Sequence, residues 1–336
     1  MAPCVVQIGR AKTMITTALT RLFDLTHPIV LGPMGGVAGG ALAAAVSNAG
    51  GLGLVGGGYG DADWLRTELA IVRAGTTRAW GAGLITWSAT RAVLDQVLAA
   101  QPHAVVLSFG DPRPLGAVIK AAGCKLICQV QDLATAALAR EAGADLIVAQ
   151  GSEGGGHGAG RGTLVLVPAV VDAVAPIPVL AAGGIADGRG LAAALMLGAQ
   201  GALIGTRFYA SAEALGSPRA RDHIVAARGD DTTRTRVFDI VRGYHWPAPY
   251  TGRSLNNTFM ARWQGREDEL ARALPAAADA FFAAQRAEDF DTAMVWAGEA
   301  VDLIHDVSPA AQIVARISAE AEQQLRAAAA RCGAGP

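Results

Sequence analysis

The sequence predicts an α/β fold: a (β/α)8 TIM barrel with a smaller, mostly helical C-terminal insertion. Three observations predict it. Eight short apolar runs alternate with Ala-rich helical stretches between residues 28 and 208, and strands separated by helices imply parallel strands joined by right-handed crossovers. The runs are apolar throughout instead of alternating, the mark of strands buried on both faces. The chain has 336 residues and is 51% hydrophobic, enough for one barrel and an appendage. A doubly wound open sheet, the rival, normally has fewer strands.

In order, "PIVLGPM" (28–34) reads as the first strand and "GGALAAAVSNAG" (39–50) as a helix ended by glycine. "LGLVGG" is the second strand, followed by a helix from Asp61 to about Arg73. "AWGAGLI" (79–85) is the third, and "SATRAVLDQVLAA" (88–100) a helix with a serine at its start. "AVVLSFG" (104–110), "KLICQV" (125–130) and "DLIVAQG" (145–151) supply strands four to six, separated by the helices "PLGAVIKAAG" and "QDLATAALAREAG". "LVLVPAVVDAV" is helix, "IPVLAAGG" (177–184) strand seven, "GRGLAAALMLG" helix, and "QGALIGTRF" (200–208) strand eight. Beyond residue 228 the pattern changes. "RGDDTTRTR" is polar, "RGYHWPAPYTGRSLNN" is aromatic and rich in turn-formers, and later stretches are helical. We therefore divide the chain into a barrel over residues 1–228, a helical lid over 229–302, and a last helix within 303–336 that returns to the barrel, its start capped by Ser308.

Composition narrows the function. A formal net charge of −1 gives no electrostatic case for nucleic acid or an anionic membrane, and no apolar run is long enough for a transmembrane helix. Cys4, Cys124, Cys128 and Cys332 build neither a disulfide framework nor a metal site, and read as thiols of a reducing compartment, the cytoplasm. The basic start (Arg10, Lys12, Arg21) has the character of a transit peptide, although "ITTALTRLFDLTH" also reads as a short helix leading into the fold. "GLGLVG" (51–56) has the spacing of a dinucleotide-binding turn. Its glycines lie within a strand and no acid follows about twenty residues on, so we read them as close-packing glycines.

Barrels of this kind do their chemistry at the C-terminal ends of the strands. There the sequence places Gly183 and Gly184 after strand seven and Gly205 and Thr206 after strand eight, the two loops that bind phosphate through backbone N–H groups. Gln129 ends strand five, where its amide could hydrogen-bond a flat ring carbonyl. "QGSEGGGHGAG" (150–160) holds one imidazole, His157, among glycines that let the backbone lie close to a ligand. Histidine is the side chain suited to moving protons near neutrality. Glu153 reads as a brace for that loop. Tyr244, His245 and Trp246 in the "GYHWPAPY" stretch are candidates for substrate contact, while the other histidines read as structural.

"PIVLGPMGG", "LAAAVSNAGGLG", "QGSEGGGHG", "VLAAGGIADGRGLAAALMLGAQGALIGTRF" and "VWAGEAV" together resemble the nitronate monooxygenase family, formerly the 2-nitropropane dioxygenases. The resemblance implies an FMN-binding barrel with a lid. It maps the catalytic histidine onto His157, the phosphate segments onto Ala182–Gly184 and Gly205–Thr206, and the strand-one segment onto Pro33, Met34 and Gly35. We also place Gln129, Gln150, Gly151 and Gly156 against the cofactor. Expected partners are a small molecule and O2, with no nucleic acid, membrane or metal; a homodimer is compatible with the family. The same fold hosts FMN-dependent enoyl-thioester reductases, which use NAD(P)H, and a flavoprotein without turnover is a third reading. Gly83 and Gln129 stand where the resemblance expects Asn and Lys.

Overall fold

The computed structural model describes residues 15–333; Cys4 and the basic residues Arg10 and Lys12 lie outside them. Eleven strands follow in order: β1 (Ile29–Leu31), β2 (Gly53–Gly56), β3 (Trp80–Ile85), β4 (Ala104–Ser108), β5 (Lys125–Val130), β6 (Leu146–Gln150), β7 (Gly156–Gly158), β8 (Val179–Ala182), β9 (Ala202–Ile204), β10 (Thr232–Thr235) and β11 (Thr251–Leu255). Eight of them form one parallel sheet in the order β1-β9-β8-β6-β5-β4-β3-β2. Hydrogen bonds from Leu31 to Leu52 and from Leu52 to Ile29 join its ends, so the sheet closes into the (β/α)8 barrel.

Closure sorts the apolar residues by a period of two. Val30, Leu54, Val106, Ile127, Val148, Leu180 and Leu203 fill the barrel, and the short helix Ala18–Phe23 contributes Leu19 and Phe23 to the same interior cluster. Their neighbours Leu31, Val55, Val105, Leu126, Ile147 and Ala181 point outward to the helices. The last helix, Ala310–Gly333, packs between Gly188–Met196 and Gly40–Asn48 and completes the helical ring. No helix among the described residues is long and apolar enough to cross a membrane. Cys124 and Cys128 are buried in this packing, which pushes the Cys128 thiol up to about 12.

The glycines of "GLGLVG" are spacers. A Cβ at Gly53 would lie 1.8 Å from the Ala43 carbonyl oxygen, and one at Gly56 would lie 2.4 Å from that of Met34. Gly83 has a similar cause. Its Cβ would sit 2.4 Å from Pro33 Cβ, so strand β3 carries no side chain where it passes the first strand's end.

Two elements differ from the expectation. Strand eight of the barrel is Ala202–Ile204, not 200–208: Gly205 breaks it, and Thr206–Tyr209 turns into a short helix. The stretch 150–160 is also not wholly a loop. Gly156–Gly158 forms β7, paired antiparallel to β11, with His157 opposite Gly252. Strands β10, β11 and β7 make a second, three-stranded sheet, so the insertion contributes strands as well as helices. It has its own core around Val237, Phe238, Phe259, Trp263, Leu270 and Phe281.

Candidate functional site

The site lies where β7 meets the insertion. Pairing with β11 fixes the His157 backbone, and its ring is then held on two sides. Nε2 lies 2.9 Å from both carboxylate oxygens of Asp239, on the helix Val237–Val241. One face is covered by the Trp246 indole, stacked at 3.4 Å between centroids and 6° between planes. The side chains of His157 and Asp239 are 10% and 4% exposed. Burial holds the imidazole below its ordinary pKa, partly opposed by the hydrogen bond and charge of Asp239. Burial thus favours the neutral ring. With the carboxylate taking the Nε2 hydrogen, Nδ1 keeps its lone pair, and it makes no hydrogen bond among the described residues.

The loop ahead of His157 is clamped by two arginines of the insertion. Arg234 on β10 donates to the carbonyls of Ser152, Gly154 and Thr251, at 3.0, 3.2 and 2.6 Å. Arg253, directly opposite it on β11, donates to Ser152 as well and pairs with Glu299 at 2.8 Å. Two like charges facing each other across a ladder oppose pairing; here carbonyl dipoles and Glu299 offset the repulsion. Burial and then Arg253 push the Arg234 guanidinium down to about 10. Arg234→Met should therefore cost roughly 2–4 kcal/mol, since several charge-assisted hydrogen bonds are lost and carbonyls are left unpaired. Urea denaturation of the two proteins measures it.

Glu153 is a brace. Its carboxylate accepts from the Thr163 N–H at 2.9 and 3.0 Å and stands in for a side-chain cap that Gly162 cannot give the helix Thr163–Val174. Thr163 Oγ1 donates onward to Glu153 at 2.8 Å and is 3.0 Å from the Gly183 carbonyl. The His157 loop and the strand-seven turn are thus one hydrogen-bonded unit.

That turn and its neighbours fit a phosphate-bearing ring cofactor. Gly183 and Gly184 have φ of +95° and +72°, a left-handed conformation that glycine adopts without strain. The N–H groups of Gly184 and Thr206 have no acceptor among the described residues. Gly205 sits at the N-cap of the short helix Thr206–Tyr209. Thr206 Oγ1 accepts from the Gly298 N–H at 3.0 Å, which leaves its own hydrogen to donate. Pro33, Met34 and Gly35 follow the end of β1, and Met34 Sδ would lie 3.6 Å from a Cβ at Gly205. Gln129 and Gln131 each donate from Nε2 to Gln150 Oε1, at 3.0 and 2.9 Å, and Gln150 Nε2 donates to the His157 carbonyl at 2.9 Å. Each of these amides retains a second N–H, and Gln131 Oε1 is buried without a partner.

Among the expected substrate residues, Trp246 is buried and stacked on His157, Tyr244 is half-buried and stacked on Tyr59, and His245 is exposed. Gly151 and Gly156 flank the unit that Glu153 holds; a Cβ at Gly151 would lie 2.0 Å from Thr163 Oγ1. Sequence reasoning missed Asp239, Arg234, Arg253, Gln131 and the ring residues Tyr59, Trp87, Phe109 and Tyr250. Asp239 left one signal: a lone carboxylate inside the apolar run "VFDIV".

Known proteins share the sequence pattern and the fold. The family model described as nitronate monooxygenase matches residues 16–96 and 85–320. A Staphylococcus aureus protein named "Probable nitronate monooxygenase" is 31% identical over 299 residues, covering 75% of this chain and 81% of its own. FabK from Thermotoga maritima superimposes with a TM-score of 0.84 at 32% identity, over 94% of this chain and 99% of that one. The nitroalkane oxidase from Streptomyces ansochromogenes superimposes with a TM-score of 0.80 at 30% identity, over 93% and 99%. The barrel and these matches agree, and the chain belongs to the nitronate monooxygenase family of flavin-dependent oxidoreductases.

Proposed function

We propose that the protein binds FMN and oxidises nitroalkanes and their nitronates with O2, with His157 as the base. One observation carries the reading: a buried imidazole whose Nε2 lies against the Asp239 carboxylate and whose Nδ1 is left to accept a proton. A nitroalkane has an acidic C–H beside its nitro group. Nδ1 takes that proton, and the electron pair of the broken C–H bond stays on the substrate as the nitronate. Positive charge then forms on the ring, where the Asp239 carboxylate and the π-face of Trp246 stabilise it. The same burial that favours the neutral ring argues against a standing cation that binds anions. A flavin, when bound, supplies the electron transfer to O2. The N–H groups at Gly183–Gly184 and Gly205–Thr206 would hold its phosphate, and the Gln129–Gln131–Gln150 amides a ring edge.

The test is anaerobic mixing of the purified flavoprotein with a nitroalkane, its nitronate, NADH and NADPH in turn. Reduction of the flavin by the nitro compounds and not by the nicotinamides is the expected result. A second reading is reduction of an enoyl thioester by NAD(P)H. It is favoured by Gly83 and Gln129, which depart from the residues expected of a nitronate oxidiser. Rapid reduction by a nicotinamide alone would select it.

The cofactor is tested separately. Gly183→Asp would disturb the backbone, because a Cβ there lies 2.8 Å from the Gly151 carbonyl oxygen. Gly205→Asp is cleaner: φ is −102°, and the nearest atom to its Cβ is Met34 Sδ at 3.6 Å. The variant should fold, yet present a carboxylate to the phosphate and lose at least about nine-tenths of its FMN, an effect of roughly 1.4 kcal/mol or more. Mass spectrometry of heat-released flavin measures both identity and content.

A further inference from the structure

The chain is only 5% aromatic, and the core of its barrel is mainly aliphatic. Yet three of its four tyrosines and two of its six tryptophans gather with Phe109 beside His157. The six come from four places in the sequence: Tyr59 after β2, Trp87 after β3, Phe109 after β4, and Tyr244, Trp246 and Tyr250 from the insertion. Such convergence is not needed to fold a barrel whose other walls are built from Val, Leu, Ile and Ala.

Its geometry is that of a wall for a flat ligand. Tyr59 and Tyr244 stack at 3.8 Å and 5°, and the Arg242 guanidinium lies over Tyr244 at 4.7 Å. Trp246 donates from Nε1 to the Tyr59 hydroxyl at 2.8 Å and meets Trp87, Phe109 and Tyr250 edge-on at 5.4, 5.1 and 6.3 Å. Phe109 holds φ at +64°, a strained backbone for a bulky residue. Such a conformation persists only where the surrounding packing holds it. Trp87 Nε1 and Thr86 Oγ1 are buried without a partner, so the wall keeps donor capacity that its own packing leaves unused. Arg242 is the cation set on its edge.

We propose that this wall selects ring-bearing acids: the substrate carries an aryl or other flat, conjugated ring one carbon from its anionic or ionisable group. The ring would meet edges and faces of Tyr244, Trp246 and Phe109, and the anionic end would lie toward the Arg242 guanidinium. This rests on the reading of His157 as the site of proton transfer, and it replaces a short alkyl chain by a ring as the group next to the reacting carbon.

The experiment separates the two. Calorimetric titration of the flavoprotein with phenylacetate and with propionate uses unreactive carboxylates of the two shapes. Phenylacetate should bind about tenfold or more tighter, the scale of a few ring contacts beyond simple burial. Tyr244→Ala, at a half-buried position, should reduce that preference to about threefold or less with its bound flavin unchanged. Tyr244→Phe should keep it, since the ring and not the hydroxyl is proposed to act. Equal affinity for the two acids in the wild-type protein overturns the proposal, as does a preference that survives Tyr244→Ala. Turnover is read independently with phenylnitromethane and nitroethane. Ring preference in binding without oxidation of either would uphold the wall and reject the nitroalkane reaction. Oxidation of both with no ring preference in binding would do the reverse.

Discussion

His157→Ala is expected to lower turnover of a neutral nitroalkane by roughly 10²–10⁴-fold, the usual contribution of a positioned base. The effect follows from geometry: the loop from Gln150 to Gly160 offers no other imidazole, and the Glu153 carboxylate is engaged by Thr163. Flavin content should hold, because the groups proposed to hold its phosphate lie in the turns after β8 and β9. The pre-formed nitronate has already lost its proton, so its oxidation should fall far less. Steady-state rates with nitroethane and with ethyl nitronate, normalised to bound flavin, measure the split. Equal losses with both would assign His157 to binding of the anion and remove the base from the mechanism.

Asp239→Asn comes next in expected size. The carboxylate is nearly isosteric with the amide, so the fold should survive, but the amide can present its N–H2 to Nε2. That would move the imidazole hydrogen to Nδ1 and take away the lone pair that accepts the proton. A loss of about 10²–10⁴-fold with the nitroalkane is expected, on the scale of tautomer errors in histidine–carboxylate pairs. The sign of the pH effect is fixed by the causes of the shift. Asp239 raises the His157 pKa while burial lowers it; with the carboxylate gone, only the lowering cause of any size remains. The acid limb of the kcat/KM profile should therefore move to lower pH in the residual activity. A limb unmoved, or moved upward, would show that Asp239 does not act through His157.

The barrel was legible in the sequence because its signals are local. A run such as Lys125–Val130 followed by Leu133–Glu141 states its own period, and eight such units leave closure as the compact solution. The glycine turns at 183–184 and 205–206 were legible for the same reason, since a turn at a strand end is set by its own few residues. So was the imidazole among glycines at 157. The strand within that glycine loop was not, because β7 exists only by pairing with β11 almost a hundred residues later.

Asp239 and the ring wall belong to the same class. The aspartate sits 82 residues from His157, and nothing in "VFDIV" says which face of its helix meets the barrel. Tyr59, Trp87 and Phe109 each looked like an isolated residue at the end of a different strand. They became a wall when the barrel curved those ends together and the insertion laid Tyr244, Trp246 and Tyr250 over them. The sequence by itself determined the barrel, the glycine turns at its strand ends and the placing of one imidazole in a glycine-rich loop. Only the tertiary structure decided that Asp239 and Trp246 hold the His157 ring and which aromatic rings gather beside it, because burial and partner choice depend on contacts between segments distant along the chain, and side-chain period and turn chemistry carry no record of those contacts.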